Sequence, residues 1–486
     1  MGKGGDDDVG LSRRRQSDAD GLVSAAAHEG KLLPPLPQKP AEGQICVDGW
    51  VYELGDFPQK HPGGDSVGMF DGSDCTVQYR MIHASHPDGG AALKRCMKLV
   101  GPLPGWKPRY SWGSAFEREV KAEVFKLIPL HRSFGTWGFF LRAAALLTAL
   151  FYLEWRWATG GSGVALALAL GMVQAMIGLC VQHDANHGAA SRDPRVNAVL
   201  GFGADLIGGC KYFWMQQHWT HHAYTNDHVL DPDATSADPI VLFHDYDPGA
   251  SANPRRWWSP VQHLLILPLL SFYWLSSILN PGFIRLEHSS PAVSSAITLD
   301  NDWFRSCRPW AWTVRAAYLG VNIVAPFFHS AAPLTVVGHI LLMGAAESLH
   351  LAALFALSHN FQGVERFPMR KHKHAAVGDV AAASQPDWFT LQVETSSTYG
   401  GAIACWLTGG LNYQIEHHLF PRISSVHYPL IQPVVKRLAL KHGVRYTSYD
   451  YIWQNARSTF AYLRQVGEGG HWNQITEQLQ PLSGAN

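Results

Sequence analysis

Gln217-His218-Trp219-Thr220-His221-His222-Ala223-Tyr224-Thr225-Asn226 holds three histidines within five positions. On a helix, residues at i, i+3 and i+4 share one face, with Cβ atoms about 5–6 Å apart. His218, His221 and His222 therefore present their imidazoles together. Two further clusters repeat the arrangement. His183-Asp184-Ala185-Asn186-His187 sets two histidines at i, i+4, and Gln414-Ile415-Glu416-His417-His418 copies the second cluster with glutamine in the leading place. A single i, i+4 pair is common by chance. Three clusters beside apolar runs are hard to assign to packing, because burying so many imidazoles without partners is costly. A shared metal site removes that cost. Imidazole suits Fe, Cu, Zn and Ni, so ligand type alone leaves the metal open. Seven or more donors exceed the needs of one ion, which points to a pair. No Glu-x-x-His motif accompanies the clusters, which excludes the carboxylate-bridged di-iron bundle. The zinc-protease pattern H-E-x-x-H is also absent.

Outward from the clusters the chain is apolar. Runs 136–155, 163–182, 308–328 and 334–357 approach the ~20 residues needed to span hydrocarbon. A fifth run, 261–279, is flanked by Pro260 and Pro281 and broken by Pro268. If the second cluster and His359 share one side of a membrane, an even number of crossings separates them. Three runs lie between, so one does not cross, and the proline-broken run suits an interfacial segment. Four spanning helices in two hairpins remain. The turns 158–163 and 329–333 lack Lys and Arg, whereas Arg366, Arg370, Lys371 and Lys373 flank the opposite ends. The positive-inside rule puts the turns in the lumen and the clusters in the cytosol. Residues 195–213 are expected along the membrane surface. His339 and His350 lie within the last run and read as structural groups paired with Glu347, since intramembrane polar groups need partners.

The N-terminal part differs in character. Residues 1–40, rich in Gly, Asp, Ser, Ala and Pro, are expected to form a disordered leader. Residues 43–101 read as a compact polar domain with its own apolar positions, 102–135 as a basic connector, and 136–480 as the membrane domain. The whole chain balances 39 basic against 39 acidic residues, which argues against a nucleic-acid partner. Seven cysteines, none in a C-x-x-C pair, read as reduced structural thiols. Within 43–101, His61-Pro62-Gly63-Gly64 precedes Asp74, Thr76, Tyr79 and His83. Two histidines on opposing helix–loop elements can clamp a heme b iron from both faces. With both axial sites filled, such an iron carries electrons rather than binding O2. His86 competes with His83 for the second place.

His61–Gly64, Asp74, Thr76, Tyr79 and His83 together resemble the cytochrome b5 family. Val181–Gly188, Gln217–Asn226, Asp231–Asp233, Val393–Ser396 and Gly410–Arg422 resemble the membrane fatty acid desaturase and hydroxylase superfamily. Gln414 in place of a histidine, with the fused heme domain, looks like its front-end desaturases. The resemblance implies a small α+β heme domain followed by an all-α transmembrane domain, with four spanning helices, interfacial helices and a cytosolic di-iron cap. It implies two non-heme iron ions held by His183, His187, His218, His221, His222, Gln414, His417 and His418, with His359 completing the cage from the last span. Asp184, Asp231, Asp233 and Glu416 are expected to hold imidazole N–H groups rather than iron. The implied reaction uses O2 to remove two hydrogens from an acyl chain. Electrons come from NADH through a separate cytochrome b5 reductase to the His61/His83 heme. The substrate is acyl-CoA or an acyl-phospholipid, and the setting is the endoplasmic reticulum membrane. Segments 77–83, 116–120, 226–233 and 344–349 look most like the microalgal Δ5 branch. That branch takes C20 chains, dihomo-γ-linolenoyl to arachidonoyl and eicosatetraenoyl to eicosapentaenoyl. Δ6, Δ4, sphingolipid long-chain-base desaturation and a hydroxylase outcome stay open beside it. A non-enzymatic membrane heme electron carrier is disfavoured by the second and third clusters.

Overall fold

The computed structural model describes residues 39–84, 89–227, 230–244, 254–279, 301–330, 332–364, 366 and 385–469. The expected leader, apart from residues 39 and 40, lies outside these, as do His86, Pro281, Arg370, Lys371 and Lys373.

Strands β1 (Gln44–Val47) and β2 (Trp50–Glu53) form an antiparallel hairpin, with β3 (Ser73–Asp74) parallel to β1 and β4 (Lys98–Pro102) antiparallel to β2. The hairpin loop is the pair Asp48-Gly49, both at positive φ (52° and 77°), the twist a two-residue hairpin favours. Trp106 closes over it so tightly that a Cβ at Gly49 would lie 2.7 Å from the indole. Ile45, Val47, Tyr52, Met69 and Phe70 fill the core beneath. The small α+β domain expected at the N-terminus is therefore present. It is docked on the rest of the chain: Asn301 Nδ2 donates to Met69 O (3.0 Å), and Arg109 of the connector pairs with buried Asp227.

The remainder is helical. Among the described residues, three helical stretches are long and apolar enough to cross a membrane: Leu130–Gly160, Val164–Asn186 and Pro333–His359. The second runs as an α-helix over Val164–Ile177, loosens into a π turn at Gly178–Gln182, and resumes as α over His183–Asn186. It meets Pro333–His359 backbone to backbone, since a Cβ at Gly171 would lie 2.2 Å from Met343 O. Small residues permit such approach where lipid offers no hydrophobic drive between helices.

The proline-broken run is bent by 68° between Ser259–Leu270 and Tyr273–Leu279, so it is not a straight span. By length and composition this bent pair is the only further candidate for a fourth crossing among the described residues. The span expected over 308–328 is not. Its helix, Asp302–Leu319, carries Arg305, Arg308 and Arg315, then passes through a π turn (Gly320–Val324) into a 3-10 turn ending at His329. Two polar groups of this stretch are satisfied inside the protein, while Arg305 pairs with Asp302 and Glu42 on the exposed side. Arg315 donates to the carbonyls of Gly208 and Ile278 (both 2.6 Å), and Asn322 bonds Gln174 and Glu154 (3.2 and 2.9 Å).

The pairing expected for Glu347 also fails. His339 Nδ1 meets Ser162 Oγ in the 160–163 turn (2.9 Å), and His350 Nε2 faces Leu407 O (3.4 Å). Each imidazole lies nearer a polar group at its own level. At the other end, parallel strands β5 (Ser397–Tyr399) and β6 (Thr447–Tyr449) tie the last helix, Ile452–Glu468, to the segment before the third cluster.

Candidate metal centre

Four helical elements converge to build the site. His183 and His187 come from the end of the 164–186 helix, and His218, His221 and His222 from helix Lys211–Ala223. His359 is the last residue of Pro333–His359, and helix Gln414–Leu419 supplies Gln414, His417 and His418. All nine side chains named from sequence are buried. They sort into two groups whose ligand atoms lie within 4.8 Å of one another: His183, His187, His218 and His417, and His221, His359 and His418. His222 stands between them. Its Nε2 is 3.1 Å from that of His218, and its ring stacks on His418 at 4.1 Å between centroids. Gln414 belongs to the second group, with Nε2 3.1 Å from His359 Nε2 and 3.3 Å from His418 Nε2.

The far side of several rings is fixed. His359 Nδ1 donates to Thr395 O (3.0 Å), and His221 Nδ1 to Asp231 (3.0 Å). His418 Nδ1 lies 2.9 Å from Gln392 Oε1, and His417 Nδ1 lies 3.0 Å from Tyr428 Oη. A bond at Nδ1 selects the tautomer that leaves Nε2 free for a metal. Of the four acids expected in this role, Asp231 fills it, and Asp233 sits 3.7 Å from His221 while accepting from Gln217. The other two are engaged elsewhere. Asp184 Oδ2 accepts from Ser424 Oγ and from the Ser425 amide and hydroxyl (2.7–3.0 Å), and its other oxygen is 4.0 Å from His183. Glu416 accepts from Tyr446 Oη (2.7 Å) and Thr398 Oγ1 (3.0 Å). Each follows or precedes a cage histidine by one residue, and on a helix neighbours do not face the same way. Gln392, Thr225, Thr395 and Tyr428 were not singled out from sequence.

The donor set fits metal. Among the described residues, buried His187 Nε2, His417 Nε2, His183 Nδ1 and His222 Nδ1 have no hydrogen-bond partner, an expensive condition unless something else is bound. His183 Nε2 and His218 Nε2 are 3.1 Å apart, about the spacing of adjacent donors on an ion held at ~2.1 Å. Burial, reinforced by the neighbouring imidazoles, holds His187, His218, His222, His417 and His418 well below the usual histidine range. They are thus neutral, as ligation requires. At His221 burial is the largest influence and also pushes down, but Asp231 and Asp233 overcome it and raise the ring to about 9. Burial likewise lifts Glu416 to about 7.

In the α+β domain, His61 and His83 face each other with ring centroids 6.1 Å apart. Their Nδ1 atoms donate to Gly64 O (3.1 Å) and Tyr79 O (3.0 Å). Two metal–nitrogen bonds of ~2 Å plus the two ring radii sum to about 6 Å, so the pair suits one iron between them. Both rings line a cavity of about 990 Å³ that runs between the two domains to His187 and Trp219.

A family model described as fatty acid desaturase matches residues 157–450. The acyl-lipid (7-3)-desaturase of Rebecca salina is 31% identical over 433 residues, covering 86% of this chain and 89% of that protein. The acyl-lipid (8-3)-desaturase of Physcomitrium patens is 28% identical over 454 residues, covering 88% and 89%. Delta(5) fatty acid desaturase A of Dictyostelium discoideum is 25% identical over 447 residues, covering 87% and 90%. A buried two-group histidine cage at the end of apolar helices and this extent of similarity give one conclusion: the chain belongs to the fatty acid desaturase family, as an O2-dependent membrane desaturase of the front-end acyl-lipid type.

Proposed function

We propose that the chain is a Δ5 front-end desaturase of C20 polyunsaturated acyl chains that carries its own electron-donating heme. The observation that bears most on this reading is the amide of Gln414, seated among His359 and His418 inside the second donor group. The proposed ligands are His183, His187, His218 and His417 for one iron, and His221, His359, His418 and Gln414 for the other, with His222 between. Bound iron supplies the O2 activation that breaking unactivated C–H bonds demands. His61 and His83 hold heme b, whose filled axial sites suit it to electron transfer. NADH through a cytochrome b5 reductase is the electron source, acyl-CoA or acyl-phospholipid the substrate, and the cytosolic face of the endoplasmic reticulum membrane the setting.

The protein's part is positional. Thr395, Asp231, Gln392 and Tyr428 pin the rings so that their free nitrogens converge without reorganisation. Full burial of all nine side chains keeps bulk water from the reacting carbon. Because His359 Nδ1 is engaged by a carbonyl, its Nε2 is an acceptor, and the Gln414 NH2 group donates to it. Flipped, the amide would offer Oε1 to a metal as a neutral ligand. Gln414→Ala is therefore expected to remove activity, and Gln414→Glu, which adds a charge to a neutral donor set, to fail as well. Iron content and product yield in isolated membranes check this; an active alanine variant would move Gln414 out of the ligand set.

A second reading concerns the position of the new bond. The relatives at 31% identity carry (7-3) in their names and those at 28% carry (8-3). Read as distances, these put the bond three carbons ahead of an existing one at carbon 7 or carbon 8, hence at carbon 4 or carbon 5. Yeast expressing the chain and fed 18-, 20- or 22-carbon polyunsaturated acids separately is expected to form a bond at carbon 5 of the 20-carbon acids, located by mass spectrometry. A bond only at carbon 4 of the 22-carbon acids would select the second reading.

A further inference from the structure

The cavity between the two domains contains a cation whose position neither the cage nor the axial histidines explain. Arg422 lies four residues after His418, in the loop that follows the third cluster. Its guanidinium reaches both redox sites. A Cβ built at Gly63, two residues from His61, would lie 3.5 Å from Arg422 Nη1. A Cβ at Gly188, next to His187, would lie 3.5 Å from its Cζ and Nε. Among the described residues, Arg422 has no hydrogen-bond or ion-pair partner, and burial pulls it below the usual arginine range. A desolvated guanidinium without an anion is unfavourable. The cavity offers it little relief: Arg192 and Lys211 also line the wall, against the single carboxylate of Asp65. Its volume, about 990 Å³, is at the upper end of the ~300–1,000 Å³ typical of cofactor sites.

Heme b brings two propionate carboxylates. We propose that Arg422 is a cofactor-binding residue that pairs with a heme propionate and thereby fixes the heme edge beside His187. The inference rests on the reading that His61 and His83 hold heme. An arginine–carboxylate pair is charge-assisted and directional, so it orients the porphyrin as well as retaining it. The pair links the domain that holds the heme to the loop that follows the third cluster, and so couples docking to cofactor loading. A second contact runs alongside: Phe70 of the small domain lies 6.1 Å from Trp219, whose ring is parallel to that of His187 (6.4 Å, 4°).

Removing the cation leaves a propionate charge uncompensated, which favours ferric over ferrous heme. In the full-length holoprotein, Arg422→Leu is expected to keep a b-type spectrum, since both axial histidines remain. Its ferrous-to-ferric preference should fall about tenfold, equivalent to ~59 mV lower midpoint for a one-electron couple. Wild-type protein reconstituted with heme dimethyl ester, which lacks the carboxylates and leaves the guanidinium uncompensated, should shift the other way, to a higher midpoint, and lose heme faster; Arg422→Leu should speed loss of native heme and add nothing to the loss of ester heme. Arg422→Lys should recover most of the wild-type midpoint. An unshifted Arg422→Leu midpoint overturns the proposal, as does heme loss that the substitution speeds as much with ester heme as with native heme. The ester arm needs no substitution, so a variant that fails to fold leaves the test intact. Absence of a b-type spectrum in the wild-type chain overturns instead the heme reading beneath it.

Discussion

Replacing His222 by alanine is expected to abolish detectable desaturation and to lower bound iron, while the protein stays in the membrane. The reason is position. His222 is the one imidazole in contact with both donor groups, 3.1 Å from His218 on one side and stacked on His418 on the other. It is completely buried, and its Nδ1 has no partner among the described residues. Its loss therefore leaves a donor missing and a cavity at the junction, where water can enter. His187→Ala and His418→Ala strike one group each and are expected to be equally inactive. His339→Ala supplies the contrast. That ring only meets Ser162 at the far turn, so activity should stay within a few-fold of wild type, since a surface-level hydrogen bond contributes about 1 kcal/mol. Iron per protein by elemental analysis, with product yield in the same membranes, decides. Normal turnover in His222→Ala would sink the two-iron assignment.

His61→Ala is expected to eliminate the b-type absorbance of the full-length protein and, in a host lacking free cytochrome b5, to eliminate desaturation. One axial nitrogen cannot hold a low-spin heme against dissociation, and among the described residues His131 and His187 are the other histidines lining the cavity, neither beside His61. The iron cage lies in the other domain, so non-heme iron should persist near wild-type content. That combination, iron retained and heme lost, separates an electron-supply defect from a folding defect. Restoring free cytochrome b5 should recover part of the product. A normal heme spectrum in His61→Ala would remove His61 from the heme reading.

The cage was legible in the sequence because helical spacing is a strong constraint. Three imidazoles at i, i+3 and i+4 must share a face wherever the helix goes, and two more elements with the same pattern have few ways to be satisfied apart. What holds the rings was not legible. Gln392 approaches His418 across 26 positions and Thr225 across 193, and an imidazole N–H donates equally well to a carboxylate, amide, hydroxyl or carbonyl oxygen. No spacing marks such a partner. Asp184 and Glu416 misled for the converse reason: a residue next to a ligand on a helix points about 100° away from it. The run 308–328 misled because hydropathy sums over residues and ignores partners. Arg315, satisfied by two carbonyls, and Asn322, held by Gln174 and Glu154, line the inner face of the stretch, while Trp310, Trp312, Val324 and Phe328 stay exposed on the other.

The π turn at Gly178–Gln182, just ahead of His183, has a consequence for how this chain can vary. A π turn houses one residue more than the α turn it replaces, and each residue of an α-helix advances the facing direction by about 100°. Deleting one residue there, Cys180 for instance, would let the helix close into regular α geometry at almost unchanged length. It would also leave His183 and His187 facing almost the same way, because the wider π turn takes up its extra residue within about one revolution. The π turn is thus the place where this helix can lose a residue without cost to the cage, whereas a deletion within the regular α stretch Val164–Ile177 would swing His183 and His187 by about 100° away from His218 and His417.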